Sequence, residues 1–542
     1  MTRGHRGPRS RERPPSRARL GVALAAVACA ALVAGCSSGG AGGSGGAGPV
    51  GGTSGAGHAP APGGAASIAP PAGPPPTTMA GYYHQRLRWQ PCDKGFQCAR
   101  LLVPVDYQRP GWRRFSLPVI RLRATDPAER TGSLVINPGG PGGSGVSYAL
   151  QARSVIAAPV RARFDIVGFD PRGVGASQPA VHCLSGPQLD RYFATDDNPA
   201  SGAQLGLVVA EAKLFARGCA ARSGPLLPYI GTRNAARDMD VLRAALGDAK
   251  LSYLGKSYGT YLGTWYAQLF PHRVRALVLD GAVDPENSGL SMDTVQSQGF
   301  QVALRAFIAD CLARSDCPLG HGGAGPALAR IQSLVAQASR HPLTNHLDGQ
   351  PANGAMLLNG IATALYSQTY WPALREGLAE AFRGDGTVLV ELANTLYERN
   401  ARGQYSNLAD ADIAVSCLDR PWPKALATWR AAATTAARAA PLFGPPITWG
   451  DLPCAYWPVH SYPLTPVRAA GAPPILVIGN KRDPATPYRW AQALAGDLKS
   501  GVLLGWNGNG HTAYMMGSSC VDSAVNSYLI SLTVPRSGLV CP

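Results

Sequence analysis

A serine flanked by two nearby glycines is the first feature of this sequence that could act as a nucleophile. Residues 253–263 read YLGKSYGTYLG, in which Gly255, Ser257 and Gly259 form a G-x-S-x-G pattern between an apolar run and a helix-like stretch. Such a turn holds a serine on a tight bend at the end of a strand, facing the amides of the next helix. Because a hydroxyl alone is a weak nucleophile, it needs a base, an acid that orients the base, and an oxyanion hole.

The acid and the histidine are expected after the serine, in that order. Asp483 follows the apolar run ILVIG, and His511 follows GVLLGW. We expect Asp483 to orient His511, and His511 to take the proton of Ser257 and return it to the leaving group. Taken singly, Asp483 has an ordinary explanation as a turn residue before proline, and His511 as a loop histidine. In combination with the serine turn, the three residues predict a catalytic triad.

A glycine-rich segment, NPGGPGGSG at 137–145, is the candidate for the oxyanion hole. We expect one amide from Tyr258, next to the nucleophile, and a second from Gly140 in this segment. The alternative is a phosphate-binding loop. That alternative is disfavoured because the segment lacks the Lys-Ser/Thr pair and its prolines remove amide donors.

Short apolar runs that alternate with helical patterns must position these residues. The pattern predicts an α/β fold with a mostly parallel sheet covered on both faces, with the reactive loops at the carboxyl ends of the strands. Long helical stretches interrupt the alternation at 286–470, which predicts an inserted helical cap. The core then comprises residues 80–285 and 471–542.

The amino end has the features of an export signal. Residues 1–35 pass from arginine-rich to apolar, and LVAGC at 32–36 resembles the lipobox of bacterial lipoproteins, which implies cleavage before Cys36 and its lipidation. The alternatives are an ordinary signal peptide and an uncleaved anchor. Residues 36–79 are almost entirely Gly, Ala, Ser and Pro, which is typical of a disordered tether. We therefore expect an exported protein held by lipid at the outer face of the cell membrane or released from it.

Cysteine usage agrees with export. Ten cysteines remain outside residues 1–36, and an even number in an exported chain favours disulfides over the alternative of buried free thiols. Spacing does not fix the connectivity. We favour neighbour pairing, because each pair then falls inside one segment of the proposed fold: Cys92–Cys98, Cys183–Cys219, Cys311–Cys317, Cys417–Cys454 and Cys520–Cys541.

The net charge of +17 does not indicate a nucleic-acid partner. Seven arginines and one glutamate in residues 1–35 supply part of it, and the other basic residues are scattered rather than clustered. None of the cysteine spacings is C-x-x-C, so a zinc site is poorly supported. We expect a monomer without metal or cofactor, in contact with the membrane only through its lipid.

Six motifs together resemble the α/β-hydrolase tripeptidyl aminopeptidases of actinobacteria, relatives of the proline iminopeptidases: NPGGPGGSG, FDPRGVGAS, YLGKSYGTYLG, VLDGAVDP, DPATP and GNGHTAY. The resemblance covers about 85–541. It implies hydrolysis of peptide bonds near a free amino end, with Ser257, Asp483 and His511 as the triad. Lys256 stands where some members have glycine, and we expect its side chain to point away from the reacting carbonyl.

An exopeptidase of this kind must also bind the α-ammonium group of its substrate, which calls for carboxylates at the cleft. Asp412, Asp419, Glu376 and Glu380 are the candidates, and the position of Asp419 near the return to the sheet makes it the preferred one. Two other functions fit the same chemistry less well. One is a carboxylesterase or lipase with this triad, and the other is a non-catalytic binding protein on the hydrolase fold.

Overall fold

A ten-stranded sheet forms the centre of the molecule. The structure is a computed structural model and describes residues 75–542, so the predicted signal segment, Cys36 and nearly all of the tether lie outside the described residues. The strands are β1 Gln90–Pro91, β2 Phe96–Pro104, β3 Arg114–Leu122, β4 Gly132–Asn137, β5 Phe164–Phe169, β6 Leu251–Lys256, β7 Val274–Asp280, β8 Ile475–Arg482, β9 Gly501–Asn509 and β10 Leu539–Cys541.

The strand order is β1-β2-β3-β5-β4-β6-β7-β8-β9-β10. Pairing is antiparallel from β1 to β5 and parallel from β5 through β10. Every residue of β4, β5 and β6 is buried, as expected for strands covered on both faces. The predicted α/β fold with a mostly parallel sheet is confirmed.

Helices cover both faces of this sheet and fill the connections. Successive strand residues face opposite layers, so that Val477 packs in one core cluster and Ile478 in the other. The helices outside the segment between β7 and β8 are α1 Met79–Tyr83, α2 Gly145–Leu150, α3 Ala152–Val155, α4 Ala158–Arg163, α5 Gly186–Ala194, α6 Gly202–Ser223, α7 Thr232–Leu246, α8 Tyr258–Leu269, α17 Tyr488–Asp497 and α18 Ser519–Ser531.

The chain between β7 and β8 contains helices and no strand longer than an isolated bridge. It has an apolar cluster of its own, which includes Phe307, Leu357 and Leu389. Its helices are α9 Gly289–Leu312, α10 Ala324–Arg340, α11 Gly354–Leu365, α12 Trp371–Ala381, α13 Thr387–Leu396, α14 Leu408–Asp419, α15 Leu426–Ala439 and α16 Gly444–Gly450.

Five disulfides join neighbouring cysteines, in the pairing that the sequence analysis favoured. Two of them close loops of more than thirty residues, one between the segment that precedes α5 and helix α6, and one between α14 and the segment after α16. The pairs are Cys92–Cys98, Cys183–Cys219, Cys311–Cys317, Cys417–Cys454 and Cys520–Cys541.

Candidate active site

Ser257 lies on a strained turn between β6 and α8. Its φ is 56° and its ψ is −127°, a conformation that a residue with a side chain rarely adopts. The flanking glycines allow the turn to close, because a Cβ atom on Gly255 would lie 2.3 Å from the carbonyl oxygen of Gly259. The Ser257 amide donates to the carbonyl oxygen of Asp280 at the end of β7, over 2.9 Å, which ties the turn to the neighbouring strand.

Asp483 and His511 meet where β8 and β9 end. The Nδ1 atom of His511 lies 2.9 Å from Oδ1 and 3.1 Å from Oδ2 of Asp483. The buried Asp483 carboxylate also accepts the amides of Ala485 and Thr486 on one oxygen and that of Thr512 on the other. These donors fix its orientation, so that it accepts a hydrogen bond from the Nδ1–H group of His511. The histidine then presents an unprotonated Nε2, as a general base requires.

The remaining nitrogen of His511 is not used by any other group in the described part of the chain, and the residue lines the same cavity as the serine. Its Nε2 atom is buried and has no hydrogen-bond partner among the described residues. Both His511 and Ser257 line one cavity of about 430 Å³. The ring of Tyr366, from the helical segment, packs edge-on against the imidazole with ring centroids 5.3 Å apart, and the Tyr366 carbonyl accepts the His511 amide. The histidine is therefore held from the sheet side and from the helical side.

The glycine-rich segment after β4 packs directly against the serine turn. Gly139 has a φ of +101°, and a Cβ atom there would lie 2.8 Å from the Cβ of Ser257 and 3.0 Å from the amide nitrogen of Tyr258. Gly140 lines the cavity, and neither its amide nor that of Tyr258 donates to an acceptor within residues 75–542. These two amides, the predicted donors to an oxyanion, are therefore not used by other acceptors of the described residues.

Aromatic and acidic side chains form the rest of the cavity wall. The aromatic ones come from the helical segment and also from α2, α5 and α6, and Phe193 stacks on Tyr397 with ring centroids 3.5 Å apart. Three carboxyl groups line the same space: Asp197, Asp412 and Asp451. A mostly apolar cavity that includes a few convergent polar groups is the usual form of a site for an organic ligand.

These carboxyl groups resist ionisation in the free protein. Burial, together with the nearby Asp451, raises the pKa of Asp412 to about 8. Burial and the neighbouring Asp196 raise the pKa of Asp197 to about 8. Burial raises the pKa of Asp451 to about 6, and the carboxyl of Asp293 beside it also has a raised pKa because of burial. A cation in the cavity would offset this cost by stabilising the ionised form.

Asp419, the preferred ammonium-binding residue of the sequence analysis, is absent from the cavity wall. Its oxygens accept hydrogen bonds from the amide and the hydroxyl of Thr232 at the start of α7. Asp419 therefore joins α14 to α7, and we replace it as a candidate. Glu376 and Glu380, on α12, do not line the cavity either. Asp412, one of the four sequence candidates, does.

Two of the cavity carboxyls were missed by the sequence analysis. Asp197 lies between α5 and α6, a stretch that the sequence analysis placed wholly in the core. Asp451 follows the short helix α16 and belongs to no recognisable motif. Only the tertiary structure brings these residues to the proposed triad, because 60 residues separate Asp197 from Ser257 and 32 separate Asp451 from Asp483 along the chain.

Comparison with known proteins identifies the family. A family model described as TAP-like protein matches residues 440–541, which include Asp483 and His511. Serine protease Hip1 from Mycobacterium tuberculosis is 39% identical over 485 residues, a match that covers 84% of this chain and 91% of that protein. The chain belongs to the TAP-like family of α/β-hydrolases.

Two further relatives of this TAP-like protein differ in their names. Tripeptidyl aminopeptidase from Streptomyces lividans is 33% identical over 473 residues, covering 84% of this chain and 86% of the relative. Carboxylesterase B from Mycobacterium tuberculosis is 37% identical over 452 residues, covering 82% and 86%. The predicted family and the prediction of a serine hydrolase are confirmed.

Proposed function

We propose that this TAP-like protein is an exported serine exopeptidase that cleaves peptides near a free amino end. The observation that carries the proposal is one cavity that contains a strained serine, a carboxylate-oriented histidine and a group of buried carboxyls. The serine and histidine supply the chemistry of acyl transfer. The carboxyls supply a partner for a substrate ammonium group, which an esterase does not require.

The reaction follows from the geometry. His511 Nε2 takes the proton of the Ser257 hydroxyl as the oxygen attacks the scissile carbonyl, and Asp483 stabilises the imidazolium that forms. The amides of Tyr258 and Gly140 donate to the oxyanion. The intermediate collapses when His511 gives its proton to the leaving amine, which leaves an acyl-enzyme on Ser257. Water, deprotonated by His511, then attacks the ester and releases the amino-terminal fragment.

Asp412 and Asp451 are our candidates for binding the α-ammonium group, with Asp197 further along the wall. Each is forced toward its neutral form by burial, so an ammonium ion gains a strong electrostatic partner only by displacing a proton. Binding of the ammonium group by these carboxyls would disfavour substrates with longer amino-terminal extensions. This arrangement sets the cleavage point by the distance between the carboxyls and Ser257.

The domain boundaries and the location belong to the same proposal. We retain residues 286–470 as the cap on a core formed by 80–285 and 471–542, with α5 and α6 added to the cavity roof. Residues 1–35 act as a signal, Cys36 as the lipidated residue and 36–79 as the tether. Five disulfides support an oxidising compartment. Within residues 75–542, no helix has both the length and the apolar character to cross a bilayer.

A panel of three substrates tests the proposal: a chromogenic tripeptide amide, its N-acetylated form, and a short acyl ester of the same chromophore. We expect rapid release from the free-amine peptide and about a 30- to 150-fold lower kcat/KM for the acetylated one, because loss of a buried charge-assisted contact costs about 2–3 kcal/mol. Equal cleavage of both peptides would contradict an exopeptidase. Ester cleavage without peptide cleavage would favour the carboxylesterase that the name of one relative suggests.

A further inference from the structure

Lys256 occupies the middle of the serine motif, yet its side chain is buried. It is the last residue of β6, and only 9% of the side chain is exposed. The Nζ atom donates to the carbonyl oxygen of Tyr514 over 2.8 Å and to the hydroxyl of Thr512 over 3.2 Å. The side chain therefore runs from the nucleophile turn to the loop that follows His511, and Lys256 also lines the cavity that holds Ser257.

Asp280 completes a charge pair with this lysine. It is the last residue of β7, fully buried, and its Oδ2 lies 3.6 Å from Nζ of Lys256. Its two carboxylate oxygens accept the amides of Ala513 and Tyr514 over 2.9 and 3.0 Å. The carbonyl oxygen of the same residue accepts the Ser257 amide. One residue thus contacts both the nucleophile turn and the histidine loop.

The histidine loop needs such support because its backbone is strained. Thr512 has a φ of 68° and Met515 a φ of 61°, both in the left-handed region that non-glycine residues avoid. Residues in this region persist only where the surroundings determine the conformation. Lys256 and Asp280 make four hydrogen bonds to residues 512–514 of this loop. Asp522 on α18 accepts the amide of Met515 over 2.7 Å.

We propose that Lys256 and Asp280 form a positioning pair that fixes the loop of His511 relative to Ser257 and keeps the charge beneath the triad balanced. The inference rests on the proposed triad. Neither side chain of the pair touches the reacting atoms in this assignment. The pair instead joins the ends of the two central strands to the loop that carries the general base.

The charge balance of the pair predicts the direction in which the pH profile of each variant should shift. Burial lowers the pKa of Lys256 and raises the pKa of Asp280, and each partner opposes the shift of the other. Removing one partner therefore leaves the other either charged without a counterion or neutral. The remaining charged groups that face this region are Asp483, which bonds His511, and Asp522, which acts on Lys256. Tyr366 contributes an aromatic edge from the cap side.

The test compares Lys256→Met, Asp280→Asn and the double variant, with Lys499→Met, at an exposed lysine, as the matched control. We expect each single variant to lower kcat about a hundredfold while KM changes little, since a misplacement of about 1 Å at a reacting group costs this much. The acidic midpoint of the kcat/KM profile should rise in Lys256→Met, where Asp280 is unbalanced and favours protonated His511. It should fall in Asp280→Asn, where the lysine charge is unbalanced, and return toward the wild-type value in the double variant.

Two results would overturn the inference: kcat within threefold of wild type in Lys256→Met, or acidic midpoints that stay unmoved in both single variants. If a single variant shows no cooperative thermal unfolding transition and is therefore not folded, the double variant and Lys256→Arg take its place. Both keep the local charge balanced, so both must retain the wild-type midpoint. If a fluorophosphonate does not label Ser257 in the wild-type protein, the proposed triad itself is refuted. Failure of the triad and failure of the positioning pair are therefore distinguishable.

Discussion

At the scale of single residues, the orientation of His511 is the feature on which the proposed chemistry depends. The Asp483 carboxylate accepts hydrogen bonds from three backbone amides in addition to the imidazole, so its position is fixed before any substrate arrives.

The substitution Asp483→Asn tests this role. The amide side chain would keep the volume of the carboxylate but offer a donor where an acceptor is required. We expect kcat to fall about 10⁴-fold with the thermal midpoint little changed, because the histidine adopts the wrong tautomer. Steady-state kinetics and calorimetry on the same preparation check this, and a loss below tenfold would contradict it.

The cavity carboxyls predict a pH dependence of KM. Because the pKa of Asp412 is raised to about 8, this group carries a proton in the free enzyme near neutrality and must lose it to bind an ammonium ion. KM for a free-amine peptide should therefore fall as pH rises, by up to about tenfold per pH unit, until the substrate amine itself deprotonates near pH 8.

Two controls test whether this pH dependence comes from the carboxyl group: a variant without the carboxyl and a substrate without the free amine. Asp412→Asn should raise KM and flatten its slope with pH, and the N-acetylated peptide should show no slope with either protein. A KM for the free-amine peptide that rises between pH 5.5 and 7.5 would show that the cavity carboxyls do not bind the substrate amine.

At the scale of elements, the proposed oxyanion hole depends on the contact between the glycine-rich segment and the serine turn. In Gly139→Ala, the new methyl would lie 2.6 Å from the carbonyl oxygen of Lys256 and 2.8 Å from the Cβ of Ser257, and would push the two elements apart. We expect a loss in kcat of about 10²–10³, the cost of one oxyanion donor, with a smaller change in KM.

Gly206→Ala is the matched control for that substitution. It lies in α6, where a new Cβ meets nothing within 4 Å, and should leave kcat unchanged while stabilising the helix by roughly 0.5–1 kcal/mol. Wild-type kcat in Gly139→Ala would show that the segment does not build the hole.

The elements that carry the proposed triad were predictable from the sequence, whereas the side chains that line the pocket were not. Ser257, Asp483 and His511 follow short apolar runs, and the carboxyl ends of parallel strands meet at one edge of a sheet. The candidate ammonium-binding residues Asp412 and Asp451 lie in the segment between β7 and β8, where nothing in the local pattern distinguishes Asp412 from Asp419. One faces the cavity and the other anchors Thr232, a difference that only helix packing decides.

At the scale of the whole molecule, the disulfides hold the pocket together as well as the fold. A disulfide joins Cys417 on α14 to Cys454. Cys417 lies five residues after Asp412, and Cys454 lies three residues after Asp451. Replacing both cysteines by serine should lower the free energy of unfolding by about 4 kcal/mol, from the chain entropy of the opened loop. It should also raise KM for free-amine peptides, because the two carboxyls are no longer held together.

Replacing Cys520 and Cys541 provides the matched comparison. This bridge joins α18 to the edge strand β10, and neither cysteine lines the cavity. Its removal should lower stability by a similar amount, about 3 kcal/mol, and leave KM unchanged. A KM that shifts equally in both variants would indicate a general loosening of the molecule and not a specific role for the bridge on α14.

The most direct measurement of the central claim is the mapping of a covalent inhibitor on the intact chain. We predict that a fluorophosphonate adds once per molecule, that peptide mass spectrometry places the adduct on Ser257, and that His511→Ala abolishes labelling together with hydrolysis of free-amine tripeptides. An adduct on another residue, or full hydrolysis by a Ser257→Ala variant, would contradict the account.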